Sequence, residues 1–120
     1  MIDSVLVAEH TAGEHLIGQL TLNVEKTLNS LTREMVDVIA DRLEAWAQDD
    51  AVIAVVIDGA GEKAFCAGGD VQALRNSCIE NPGGPCEYAE HFFAREYRMN
   101  YLLHTYIKPL ICWGHGVVMG

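Results

Sequence analysis

Residues 64–70 read AFCAGGD, a run of small side chains directly downstream of the apolar stretch AVIAVVI at 51–57. Small residues there give up packing area, and glycines cost conformational entropy, so the pattern points to a use for bare main chain. A backbone N–H projecting from such a loop can hold a negative oxygen as it develops. A short helix beginning at Asp70 would add its positive end to the same field. One such donor is half of an oxyanion hole. A second small-residue segment, GHGVVMG at 114–120, also follows an apolar stretch and has the form needed to supply the other half. Two loops of this kind suit the chemistry of an acyl group better than either would alone.

A competing pattern overlaps the first loop. Residues 59–64, GAGEKA, match the dinucleotide fingerprint GxGxxA. In that fold the glycines open into a long helix whose N-terminus holds the pyrophosphate. Here FCAGG follows, which is poor helix sequence, so the nucleotide reading takes second place. His10, His15, His91, His104 and His115 show no ligand spacing, and no metal is expected. His115 inside the second loop reads as structural, and His104 as a packing residue. Cys66, Cys78, Cys86 and Cys112 form no CxxC pair, which favours reduced thiols. Cys66 and Cys112 read as small buried side chains.

The net charge of -9 over 120 residues argues against a nucleic-acid partner. A local patch can still hold a small anion against that charge. No apolar run approaches the roughly 20 residues of a membrane span. The opening MIDSVLVAEHTAGEH lacks the basic and apolar regions of a signal peptide, so a cytoplasmic setting is expected.

The elements that must position the loops follow from hydrophobic pattern. Segments 5–9 and 16–23 read as a hairpin turning near Gly13. Leu31, Met35, Val38, Ile39, Leu43 and Trp46 recur at helical period, with Ser30 or Thr32 as cap and Glu34 and Asp37 near the positive end. Asp49 and Asp50 close that helix. The apolar run 51–57 reads as a strand covered on both faces, as in a parallel sheet, reached by a right-handed crossover. A short helix is expected at 70–75 with Asp70 as its cap, then a loop at 76–85 containing NPGGP. A long helix at 86–106 carries Tyr88, Phe92, Phe93, Tyr97, Tyr101 and Tyr106, which read as core. Lys108-Pro109 ends it, and 110–113 begins another buried strand.

At this point the sequence resembles a known family. AFCAGGDV, preceded by VVIDGAGEK and followed by KPLICWGHGVVMG, is similar to the enoyl-CoA hydratase/isomerase (crotonase) superfamily. TLNVEKTLNSLTREM looks like its first CoA-binding segment, and FFAREYRMNYLLHTYIKP resembles the 3-hydroxyisobutyryl-CoA hydrolase branch. The resemblance implies an α/β fold, a crotonase-type ββα spiral, of which residues 1–120 form the incomplete N-terminal portion. It implies that Gly69 gives the first oxyanion-hole N–H, and that the main chain at Ala67 and Gly68 runs beside the CoA. Lys26, Thr27 and Leu28 match the other CoA-contacting stretch. Lys26 would meet a phosphate, or else be a solvated surface lysine. Asp70 falls beside the substrate and reads most simply as a helix cap. Glu96 borders the substrate in the hydrolase branch, with an ion pair to Arg95 or Arg98 as the alternative.

Gly120 aligns with the first glycine of the family's GGG run, whose middle member gives the second donor. That donor and the family's acid–base carboxylates fall downstream of residue 120. Removing one such donor typically costs about 10²–10³ in rate. The 120-residue chain by itself is therefore expected to be nearly inert, with apolar faces left uncovered. The implied substrate is an acyl-CoA, with no cofactor beyond its CoA and with a trimer or hexamer as the family's assembly. Two rival functions stay open: hydration of a 2-enoyl-CoA, and a non-catalytic acyl-CoA-binding or assembly module.

Overall fold

In the computed structural model, which describes residues 3–80 and 87–119, the chain opens on an antiparallel hairpin. Strands β1 (Val5–Ala12) and β2 (His15–Leu22) pair from Val5 opposite Leu22 to Ala12 opposite His15. Gly13 turns the chain with φ 66°, a conformation that a Cβ disfavours. Helix α1 (Arg33–Ala47) follows, and Thr32 caps it by accepting the Met35 N–H at 3.3 Å. Strand β3 (Val52–Gly59) then lies parallel to β2, the strand–helix–strand unit expected from the pattern.

The remaining elements are β4 (Ala64–Cys66), α2 (Val71–Glu80), α3 (Glu87–His104), β5 (Leu110–Cys112) and β6 (Val117–Val118). Strand β5 runs parallel to β3, so the main sheet has the order β1-β2-β3-β5, while β4 and β6 pair in a second, two-stranded sheet. Strand–strand–helix order therefore recurs along the chain, as in a ββα spiral.

The core forms where α1 lies against the main sheet. Met35, Val36, Ile39, Leu43 and Trp46 are buried with Leu20, Val52 and Val55. Trp46 sits so close to β2 that a Cβ on Gly18 would stand 2.6 Å from its ring. Gly18→Ala should thus destabilise the full-length protein by about 1–3 kcal/mol through overpacking. Thermal unfolding measures this, and an unchanged Tm would show that the ring can move aside.

The end of α1 has no basic residue of its own in the last turn. The Lys108 ammonium supplies the charge from a distance, donating to the carbonyls of Trp46 and, at 2.6 Å, Asp49. The Tyr106 hydroxyl donates to Leu43 O at 2.8 Å on the same turn. Helix α3 stops at His104, short of the expected 106, so Lys108-Pro109 is not what ends it. The pair instead fastens the exit of α3 to α1, where cations are favoured by the helix dipole. Arg98–Glu44 at 2.7 Å and Arg95–Asp37 at 3.3 Å link the two helices further along.

Several sequence expectations need correction. The strand expected at 110–113 is not buried: Ile111, Cys112 and Trp113 are exposed, because β5 is the edge of the main sheet among the described residues. Cys112 is therefore not a core side chain, although Cys66 is. Most aromatics of α3 are not core either. Phe92 and Met99 face inward, whereas Phe93, Tyr97 and Tyr101, spaced four apart, form a ridge on the outer side. Val38 is exposed on the outside of α1. Helix α2 runs on to Glu80, so the loop expected at 76–85 is helical over its first five positions. Its NPGGP lies outside the described residues.

Candidate active site

Strand β4 and the segment before β6 bring the two small-residue loops side by side. Phe65 N–H donates to His115 O at 2.8 Å, Val117 N–H to Lys63 O at 3.1 Å, and Met119 N–H to Cys66 O at 2.9 Å. Gly116, at φ 60°, is pressed against the Lys63 carbonyl, which leaves no room for a side chain. The His115 imidazole reaches back to Gly61 O at 2.7 Å, which is the structural role expected of it.

Gly69 is held from both sides. Leu31 N–H donates to Gly68 O at 2.7 Å, and Asp70 N–H donates to Leu31 O at 2.8 Å. Between these two bonds the Gly69 N–H donates to nothing among the described residues. The Phe92 ring lies beneath: a Cβ on Gly69 would stand 3.3 Å from the ring and 3.7 Å from Glu96 Oε2. Asp70 caps α2, its carboxylate accepting the Ala73 N–H at 3.1 Å. The Cys66 sulfur accepts the Gly68 N–H at 3.3 Å, and burial pushes its thiol upward, which suits a packing role and not a nucleophile.

Besides Asp70, the carboxylate of Glu96 also stands near this main chain. It lines an apolar cavity of about 210 Å³ together with Gly68, Phe65, Met99 and Met119. Burial there holds its carboxyl above the ordinary carboxylate range. Its neighbours Arg95 and Arg98 pair with Asp37, Asp41 and Glu44 on α1. The ion-pair alternative for Glu96 is therefore overturned, because helical spacing turns those arginines toward α1.

A larger cavity of about 410 Å³ is lined by Glu25, Lys26, Leu28, Gly61, Glu62 and Lys63 among others. Lys26 belongs to a 3-10 turn, Glu25–Thr27, that ends in left-handed backbone at Leu28, φ 55°, and Asn29, φ 57°. The structure thus joins Lys26 and Leu28 to one wall and Gly68, Gly69 and Glu96 to the other side of the loop. It does not bring Thr27 in, since that hydroxyl donates to Val24 O at 3.3 Å in its own turn. Ala67 is half-buried and lines neither cavity. Gly120 lies outside the described residues. The dinucleotide fingerprint fails on geometry, because Ala64 starts strand β4 where a helix would be required.

Two residues escaped sequence reasoning. Lys63 lies inside the false fingerprint, next to Glu62, although a cation beside a glycine-rich turn was a usable signal. Asn29 is fully buried and spends its whole amide on the site: Oδ1 accepts Val24 N–H at 2.7 Å, and Nδ2 donates to Ala60 O at 3.0 Å and Ala64 O at 2.9 Å. It ties the Lys26 turn to the loop that follows β3. Among the described residues no group of three or more His, Cys, Asp or Glu stands close enough to hold a metal ion, and no helix is long and apolar enough to cross a membrane.

A family model described as enoyl-CoA hydratase/isomerase matches residues 17–120. The chain is 41% identical over 103 residues to the mitochondrial 3-hydroxyisobutyryl-CoA hydrolase of Danio rerio, covering 86% of this chain and 26% of that one. It is 41% identical over 99 residues to the small ribosomal subunit protein mS47 of Neurospora crassa, covering 82% and 19% respectively. Among solved structures, a carnitinyl-CoA dehydratase from Mycobacterium thermoresistibile superposes with TM-score 0.86 at 44% identity, over 99% of this chain and 33% of that one. An enoyl-CoA hydratase from Rhodobacter sphaeroides 2.4.1 gives TM-score 0.81 at 33% identity, over 95% and 32%. The chain thus spans only 19–26% of the length of these two curated relatives.

Proposed function

The chain belongs to the enoyl-CoA hydratase/isomerase family, and from that premise we propose that the full-length protein hydrolyses the thioester of a short branched 3-hydroxyacyl-CoA such as 3-hydroxyisobutyryl-CoA. The observation that carries the proposal is Glu96, whose Oε2 lies 3.7 Å from the Cβ position of Gly69 at an apolar cavity. A thioester carbonyl placed at the free Gly69 N–H would sit within reach of that carboxylate.

Gly69 N–H polarises the carbonyl and stabilises the oxyanion that forms when water adds to its carbon. The C–S bond breaks, the sulfur takes up a proton, and free CoA and a carboxylic acid result. Glu96, beyond the substrate-bordering place that the resemblance implies for it and beside any carboxylate downstream of residue 120, accepts a hydrogen bond from the attacking water and takes its proton. A second donor, contributed next to Gly120, completes the hole. Lys26 and Lys63 line the outer cavity together with Glu25 and Glu62, and the two ammonium groups are the ones suited to the CoA phosphates. The reaction needs no cofactor beyond the CoA of the substrate itself, and assembly as a trimer or hexamer accompanies the reading.

Two other readings have an observation each behind them. The solved relatives are a dehydratase and a hydratase by name, which favours hydration of a 2-enoyl-CoA. The likeness to a ribosomal subunit protein favours a non-catalytic module. Thiol release from 3-hydroxyisobutyryl-CoA by the full-length protein decides between them and is the expected result. Loss of the enoyl absorbance without thiol release would establish the hydratase. Stoichiometric CoA binding with neither reaction would establish the binding module.

A further inference from the structure

The apolar cavity beside Gly69 contains a second polar side chain that the proposed hydrolysis does not use. Asn100 lines it together with Glu96, four positions earlier and one turn away on α3, so the two share a helix face. The other walls are apolar, with Leu22, Ile57, Phe65 and Leu103 among them. The Asn100 side chain stands at the exposed rim and makes no hydrogen bond to any described residue. An amide offers both donor and acceptor. A plain hydrocarbon chain entering the cavity offers that amide no partner and leaves it to the solvent at the rim. A chain that bears a hydroxyl would replace the water with a hydrogen bond.

We infer that Asn100 is a specificity-determining residue that reads a hydroxyl on the acyl chain. The inference rests on the proposed thioester hydrolysis and deepens it, because it assigns the hydroxylated substrate class to one side chain. Glu96 faces the reacting carbon, while Asn100, about 6 Å further along the helix axis, faces the substituent. At the exposed rim water can take the place of a missing hydroxyl, so the discrimination expected of Asn100 is that of one ordinary hydrogen bond and not the larger penalty of a buried orphan.

The test compares kcat/KM of the full-length protein for 3-hydroxyisobutyryl-CoA and for isobutyryl-CoA, which differ only in the hydroxyl. Asn100→Ala should lower kcat/KM for the hydroxylated thioester by roughly tenfold, the worth of one hydrogen bond of ordinary strength, and leave the plain thioester nearly unchanged. Asn100→Ser, which keeps a hydroxyl partner, should restore part of the preference. A merely structural role would lower both rates together and overturn the inference while leaving the hydrolase reading intact. A preference for the hydroxylated thioester that survives Asn100→Ala overturns it in the same way. If the wild-type protein cleaves neither thioester, the hydrolase reading and this inference fall together.

Discussion

Glu96→Gln should lower kcat/KM for thioester hydrolysis by the full-length protein by about 10²-fold or more, the usual worth of a positioned proton acceptor. The substitution keeps size and shape, so the Phe92 ring beneath Gly69 and the cavity wall at Met99 stay in place. Its effect on the pH profile distinguishes loss of chemistry from loss of structure. Burial raises the Glu96 carboxyl above its ordinary value. As a base it acts only when ionised, so the wild-type rate should climb with pH through that raised value, and the glutamine variant should lack the climb. Stability moves in the other direction. The folded protein holds the Glu96 proton more tightly than the unfolded chain does. Its contribution to stability is therefore complete below the unfolded pKa and is lost as pH rises through the folded one. At neutral pH the glutamine variant should be at least as stable as wild type. A variant that loses activity and Tm together would remove Glu96 from the mechanism and make it a packing residue.

The second large effect concerns stability. Asn29→Leu should cost roughly 3–5 kcal/mol in urea unfolding of the full-length protein. Three backbone groups, Val24 N–H, Ala60 O and Ala64 O, lose their partner, at about 1–3 kcal/mol for each that stays buried. Leucine must also adopt φ near 57°, a region asparagine tolerates better than other residues with a Cβ, which adds up to about 1 kcal/mol. Against a typical total of about 5–15 kcal/mol, that is a large share. Asn29→Asp keeps the acceptor for Val24 N–H and loses both donors, so it should fall between. A change of less than about 1 kcal/mol for Asn29→Leu would mean that water or neighbouring groups replace the amide, and that the Lys26 turn is not held by it.

What was legible in the sequence, and what was not, divides along physical lines. Apolar period located α1 and β3, because both are positioned by burial against one sheet. Thr32 was one of two caps named in advance and is the one used. Small residues at AFCAGGD and GHGVVMG identified the two loops that the β4–β6 pairing brings together. Burial was misjudged where it depended on the far side of an element. Phe93, Tyr97 and Tyr101 share a helix with Phe92, and nothing in their type says which ridge meets α1. Strand β4 has three residues, too few for alternation to show in the sequence. Asn29 was missed because its role depends on two carbonyls more than thirty positions away. Long-range hydrogen bonds of a single amide leave no period in the sequence.

The AFCAGGD loop stands between two cavities, one walled by the Lys26 turn and the residues after β3, the other by α3. If the outer chamber grips a carrier common to many metabolites, and the inner one inspects its cargo, the partition makes the two tasks separable in descent. Substitutions along α3 can change which cargo is accepted while the grip on the carrier remains as it was. One scaffold can then found a lineage of differing appetites, each new member inheriting a working handle.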